Sequence, residues 1–132
     1  MDVLIKLISS RKPGVEIQDI KNTEEVLGVK LPEQYKKLVG IVNQPEIDEW
    51  ILYPIKDSMR LSNTYDDIVR NNTGELWPEN TGDYISIAYD GTGDLLCYKL
   101  IDDSRELGEE IFYWNHEEDT FELILNYESI TL

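Results

Sequence analysis

The amino-acid sequence predicts an α+β domain: N-terminal helices packed on a mixed or mostly antiparallel β-sheet, closed by a short C-terminal helix. Three observations carry this. In the first third, apolar residues recur at steps of three and four, with helix-ending residues in the right places. From Trp50 onward the period falls to two, and β-branched and aromatic residues alternate between turn-forming clusters. The chain has 132 residues, 41% of them hydrophobic. That suits one core and a single domain over 1–132, with no repeat or Pro/Gly/Ser-rich linker to divide it.

Taken in order, Asp2 to about Ser9 reads as a short helix with Val3, Leu4, Leu7 and Ile8 on one face, broken at Arg11-Lys12-Pro13-Gly14. A second helix runs from about Val15 to Leu27. Its stripe is Ile17, Ile20, Glu24 and Leu27, with Glu24 the polar interruption, and Gly28 supplies the left-handed residue past its end. Leu31-Pro32 opens a third helix, with Pro32 at the first helical position, where a missing N–H costs nothing. Tyr35, Leu38, Val39 and Val42 form its inner stripe, and it ends near Asn43, before Pro45. Trp50 to Tyr53 is a strand stopped by Pro54. Ser62 to Asn71 reads as a helix with Tyr65, Ile68 and Val69 inward, and 72–82 as loop. Tyr84–Tyr89 and Leu95–Leu100 form a hairpin about the turn 90–94. Residues 101–108 form an acidic loop. A strand follows at Glu110–Trp114, then the turn Asn115–Asp119; Thr120–Leu125 reads as a short strand or the entry to a last helix, and Asn126–Leu132 as the short closing helix.

Charge limits the function. Twelve basic residues oppose twenty-seven acidic ones, a net charge of −15. Nucleic acid and anionic membrane are poor partners for such a chain, because phosphate contacts need a surplus of Lys and Arg. The imbalance is polarised: residues 1–66 carry a net −2 and residues 67–132 a net −13. A polarised field steers a basic partner toward one side of the molecule. The lone Cys97 forms no internal disulfide and suits a reducing compartment. No run reaches the roughly 20 apolar residues that span a bilayer, and residues 3–8 do not read as a signal peptide. The expected location is cytoplasmic.

No catalytic constellation emerges. Asp90-Gly91-Thr92-Gly93-Asp94 lacks the ligand spacing and flanking helices of a calcium loop and reads as a glycine-enabled turn. His116, the single histidine, lies in a polar turn beside Glu117, Glu118 and Asp119, without a zinc-ligand spacing. The paired carboxylates Asp66-Asp67, Asp102-Asp103, Glu109-Glu110 and Glu117-Glu118-Asp119 fall in turns and strand ends, where both members stay solvated. Acid–base work needs them in contrasting environments. No catalytic residue, metal or cofactor is assigned. A small hydrolase or metal enzyme would require a deep pocket around His116. Cys97 alternates inward in its strand. The aromatics Trp50, Tyr84, Tyr89, Tyr98, Phe112, Tyr113, Trp114 and Phe121 lie in or beside strands. Strict alternation places Phe112 and Trp114 on one face and Tyr113 on the other. Solvent-facing aromatics ringed by acids have the makings of a protein-binding hot spot.

Ile20 to Val42, IKNTEEVLGVKLPEQYKKLVGIV, resembles the opening motif of the SUKH superfamily: a helix bearing a Glu, then Leu-Gly-x-x-Leu-Pro, then a helix with Tyr. Glu24 or Glu25, Leu27-Gly28, Leu31-Pro32 and Tyr35 fill those places. Where the family commonly has Asn-Gly, this chain has Asn43-Gln44. Gly93-Asp94, Ile111 to Glu117, and Tyr127-Glu128-Ser129-Ile130 resemble later family segments in the right order. The resemblance implies helices on a sheet and a non-enzymatic role. Bacterial members mostly act as immunity proteins that neutralise a cognate toxin, often a nuclease, and fungal relatives act as interaction hubs.

The expected function is therefore an immunity protein whose acidic half occupies the basic groove of a toxin's C-terminal domain. The alternative is a regulatory interaction domain with a non-toxin partner. The expected partner-binding residues are Asp90, Asp94, Asp102, Asp103, Glu109, Glu110, Trp114, Glu117, Glu118 and Asp119, with carboxylates pairing to Lys and Arg and Trp114 as an anchor.

Overall fold

The computed structural model describes residues 12–73, 83–102 and 104–124. The expected first helix, the expected closing helix and Asp103 lie outside them. Helix α1 is Ile17–Leu27 and helix α2 is Glu33–Ile41. Six strands follow: β1 (Glu46–Ile47), β2 (Trp50–Leu52), β3 (Tyr84–Tyr89), β4 (Leu95–Leu100), β5 (Leu107–Asn115) and β6 (Thr120–Ile124). They pair as a single antiparallel meander in chain order. The described sheet is thus antiparallel throughout, and the only parallel pairing among the described residues is an isolated bridge between Lys30 and Glu106.

Both helices start within two residues of their expected positions. Gly28 takes the left-handed conformation at φ +72, and its N–H closes on the Glu24 carbonyl at 2.9 Å, as a helix-terminating residue should. The helical stripe departs from expectation in α1. Ile17 is 71% exposed, while Thr23 is buried beside Ile20. In α2, Tyr35, Leu38 and Val39 are fully buried. They pack over one face of the sheet, where Leu52, Ile87, Leu96, Tyr98 and Ile111 are also fully buried. The Tyr35 ring meets Tyr98 edge-on at 6.3 Å, and its hydroxyl donates to the Tyr53 carbonyl at 2.7 Å.

Glu24 is more than an interruption of a stripe. Its Oε2 accepts the Leu31 N–H at 2.8 Å, and Lys36 lies 3.7 Å away. This carboxylate pins the loop between the helices. The loop is also tied to the base of β5: the Lys30 N–H donates to the Arg105 carbonyl at 2.7 Å, the Leu107 N–H to the Lys30 carbonyl at 3.0 Å, and Arg105 Nε to the Gly28 carbonyl at 2.8 Å.

The expected helix over Ser62–Asn71 does not form. Two single 3₁₀ turns, Ser62–Thr64 and Arg70–Asn72, replace it, and Tyr65 is 72% exposed with Arg70 over its ring. A local side chain takes a backbone donor the helix would need: Asp67 Oδ1 accepts the Arg70 N–H at 2.8 Å. Ile68 still reaches the core.

Two asparagines stand in for missing strand pairing. The buried Asn43 side chain accepts from the Ile55 N–H at 2.9 Å and donates to its carbonyl at 2.8 Å. Asn72 does the same for Ser86, at 2.7 and 2.8 Å, where the β3–β4 register shifts. Asn43→Ala leaves both polar groups of Ile55 without that partner. It is expected to cost about 2–4 kcal/mol, read as a lowered urea midpoint. Next to it, Gln44 adopts φ +83, the left-handed region a glycine occupies without strain. This accounts for the Asn-Gly of the resembled family. Gln44→Gly is expected to stabilise by up to about 1 kcal/mol, relief of strain exceeding the added chain entropy; an unchanged or lowered midpoint would contradict this.

Candidate partner-binding surface

In a six-strand meander the first, third and fifth turns share one end of the sheet, and the second and fourth share the other. The turns β1–β2, β3–β4 and β5–β6 therefore meet. Side chains join them. Asp94 of the second of these turns holds His116 of the third, Nδ1 to Oδ1 at 2.7 Å, and the same oxygen accepts the His116 N–H at 3.0 Å. The Tyr113 hydroxyl donates to the other Asp94 oxygen, and the Trp50 ring packs edge-on against Tyr113 at 5.8 Å. Gly93, at φ +108, lies under the imidazole; a Cβ there would come within 3.0 Å of the ring.

Burial alone pushes the Asp94 carboxyl up. The bonds from Tyr113 and from the His116 backbone and ring, with the imidazole's charge, outweigh it and hold Asp94 below the usual carboxylate range. Tyr113 moves the opposite way, to about 12, because its hydroxyl bonds to Asp94, is partly desolvated, and lies near the charges of Asp94, Asp90 and Glu49.

The expected binding residues divide. Asp90, Asp94, Glu117, Glu118 and Asp119 do converge on this end. Two of them are engaged internally: Asp94 as above, and Asp119, whose Oδ1 accepts the Trp114 indole N–H at 2.8 Å. Asp90 caps its own turn through the Thr92 N–H and hydroxyl at 3.0 and 2.7 Å. Glu117 and Glu118 donate their backbone N–H groups to Asn115 Oδ1 at 2.9 and 3.1 Å and leave their side chains exposed.

Trp114 is not an exposed anchor: it is 8% exposed. Phe112 is half-buried against Tyr84, so the second face of the sheet carries its own aromatic packing. Glu109 is a structural carboxylate. Its Oε1 accepts the Glu33 N–H at 2.9 Å, and its carbonyl and Oε2 accept from the Gln34 amide at 2.7 and 2.5 Å. It thereby caps the first turn of α2, where a negative charge meets the positive end of the helix dipole. Glu110 is exposed on the opposite face, and Asp102 is exposed at the far end of the sheet. These residues are not one surface.

Two acids missing from the expected set lie at the same end of the sheet. Asp48 and Glu49 are exposed in the β1–β2 turn, and Asp48 takes φ +56. The pattern Glu46-Ile47-Asp48-Glu49-Trp50-Ile51, two β-forming pairs about a two-residue turn, is the signal that could have found them. The segments 46–50, 89–95 and 115–120 together hold eight acids, one histidine and no Lys or Arg.

A groove of about 760 Å³ lies between α1 and α2, and His116 does not line it. Among the described residues no group of His, Cys, Asp and Glu is placed to hold a metal ion, and no helix is long and apolar enough to cross a membrane. Cys97 is fully buried, as expected, and burial pushes its thiol up.

The described residues form two helices on an antiparallel meander with an acidic end. The SMI1 / KNR4 family (SUKH-1) model matches residues 14–131, so the chain belongs to that family. A search of curated proteins found no match.

The Asp94 linkage predicts two pH effects. A carboxyl held below its ordinary value of 3.8 adds stability above that pH and loses it as pH falls through the folded value. A phenol raised from 10.0 to about 12 adds stability below pH 10 that is lost as pH rises toward 12. Asp94→Asn should cost about 1–3 kcal/mol at neutral pH and flatten both limbs of a plot of urea midpoint against pH. Tyr113→Phe should shrink the alkaline limb, the rest of which comes from Tyr53 and Tyr89, whose phenols burial also raises, and leave part of the acid one.

Proposed function

We propose that this domain is an immunity protein that binds the toxic domain of a cognate polymorphic toxin through the acidic end of its sheet. Members of its family commonly serve as such immunity proteins. The observation that carries the reading to this surface is the meeting of three acidic turns with no Lys or Arg in them. The exposed carboxylates of Asp48, Glu49, Glu117 and Glu118, with Asp90, make the contacts. Asp94, Asp119 and Trp114 act as positioning residues that hold the turns in place.

The mechanism is occupation rather than chemistry. A nuclease domain keeps a cationic groove for phosphates, and carboxylates placed in it form charge-assisted hydrogen bonds to the same Lys and Arg. Preorganisation matters, because turns fixed by Asn115, Asp94 and Gly93 lose little freedom on docking. The long-range field raises the association rate, and the close pairs set the dissociation rate.

The test is calorimetric titration of this protein with the toxin domain encoded beside it, together with a neutralisation assay. Replacing Asp48, Glu49, Asp90, Glu117 and Glu118 with their amides should weaken binding about fivefold to five-thousandfold, since exposed pairs contribute roughly 0.2–1 kcal/mol each. The loss should fall largely on the association rate and shrink at high salt. Undiminished neutralisation by the five-amide variant would overturn this assignment.

A further inference from the structure

The two outer edges of the described sheet are unlike. Strand β1 is two residues long, follows Pro45 and ends at Asp48 with its positive φ, so it offers almost no ladder for another strand. Strand β6 is five residues long and contains neither Pro nor Lys. Its ladder to β5 runs without a register shift, whereas the β3–β4 and β4–β5 ladders each carry one. Among the described residues no segment hydrogen-bonds to its outer rim. Sheet proteins usually blunt an edge with a short strand, a proline, a lysine or a bulge. This one blunts β1, and among the described residues β6 carries only the charge of Glu122 and no proline, lysine, bulge or covering segment.

The side chains of β6 specify what fits. Phe121 and Leu123 lie on the face that carries Tyr84 and Phe112; Phe121 stacks on Tyr84 at 3.7 Å, and Leu123 is 46% exposed. Glu122 points to the other face and is exposed, opposite Tyr113 in the register. The turn leading into the strand carries Glu117, Glu118 and Asp119, and no Lys or Arg follows Arg105 in the chain. A second copy is a poor match. Antiparallel pairing about Glu122 sets like charges opposite one another, which destabilises a sheet, and brings together two chains of net charge −15.

We propose that β6 is a docking edge that takes up an extended basic segment of the partner as a seventh strand. Main-chain hydrogen bonds supply the affinity. Glu122 and the acidic turn select Lys or Arg on one face of that segment, while Phe121 and Leu123 select apolar residues on the other. The proposal rests on the cationic-partner reading above and adds a contact outside the hairpin turns.

The experiment titrates the full-length, ¹⁵N-labelled protein with an end-blocked peptide alternating valine and arginine. Its control has the same sequence with N-methyl groups on the amides of one edge. Shifts and slowed hydrogen exchange along 120–124 are expected with the first peptide, with at least a tenfold loss for the methylated one. Glu122→Lys, an exposed change, should weaken the unmethylated peptide at least tenfold. Equal binding of both peptides, or shifts confined to the turns at 48–49, 90–94 and 115–119, would overturn the proposal. So would a dimer in sedimentation whose β6 amides are already protected without peptide. The peptide contains no toxin. Failure here therefore leaves the calorimetric test untouched, and a failed toxin titration beside a successful peptide one would sink only the immunity reading.

Discussion

Two carboxylates fix where α2 begins, one from α1 and one from the sheet, and the placement of the helical layer depends on them. Glu24, near the end of α1, accepts the Leu31 N–H, and Glu109 of β5 accepts the first N–H of α2. Both are charge-assisted bonds to backbone donors, and the Glu33 N–H is one that the start of a helix leaves unpaired. Between them the loop at 28–31 is stitched to the base of β5 through Lys30, Arg105 and Leu107. The loop thereby sets the start of α2, which carries Tyr35, Leu38 and Val39 down onto the sheet. Hydrophobic burial supplies most of the stabilisation there. It is non-directional, however, and the two carboxylates fix where the apolar stripe lands.

The acidic end of the sheet follows from topology. In a meander every second turn comes to the same end, so three turns far apart in sequence present their side chains together. The carboxylates there do two kinds of work. Asp94 and Asp119 take hydrogen bonds from Tyr113, His116 and Trp114 and lock neighbouring turns. Asp48, Glu49, Glu117 and Glu118 remain exposed to solvent. A surface on which some acids rigidify the backbone and others point outward loses little entropy when a cation arrives. The same negative field bears on the outer edge of β6, where it opposes pairing between copies and favours a basic strand.

Charge and side-chain alternation reported the sheet well and its faces less well. Phe112 and Trp114 do share a face, yet Trp114 is buried and its indole N–H is taken by Asp119. The error lay in treating an aromatic in a strand as either core or anchor, when aromatics on the second face pack against each other. Tyr84 lies between Phe112 and Phe121, a contact across strands that no local pattern encodes.

By itself the sequence determined what depends on near neighbours: α1 with its left-handed Gly28, α2 with its buried Tyr35, the hairpin turn at 90–94, the alternation of β3 to β6, and the family motif from Ile20 to Val42. These are fixed by φ preferences, capping and periodicity over a few residues. Tertiary structure decided which carboxylates are spent on the fold. Glu109 reads as one of a solvated pair until α2 is placed against it, and Asp94 reads as a turn residue until His116 arrives from the neighbouring hairpin. The meander's topology likewise brought Asp48 and Glu49 to the acidic end. A carboxylate's role is set by which donor lies within about 3 Å of it, and that distance exists only once the chain has folded.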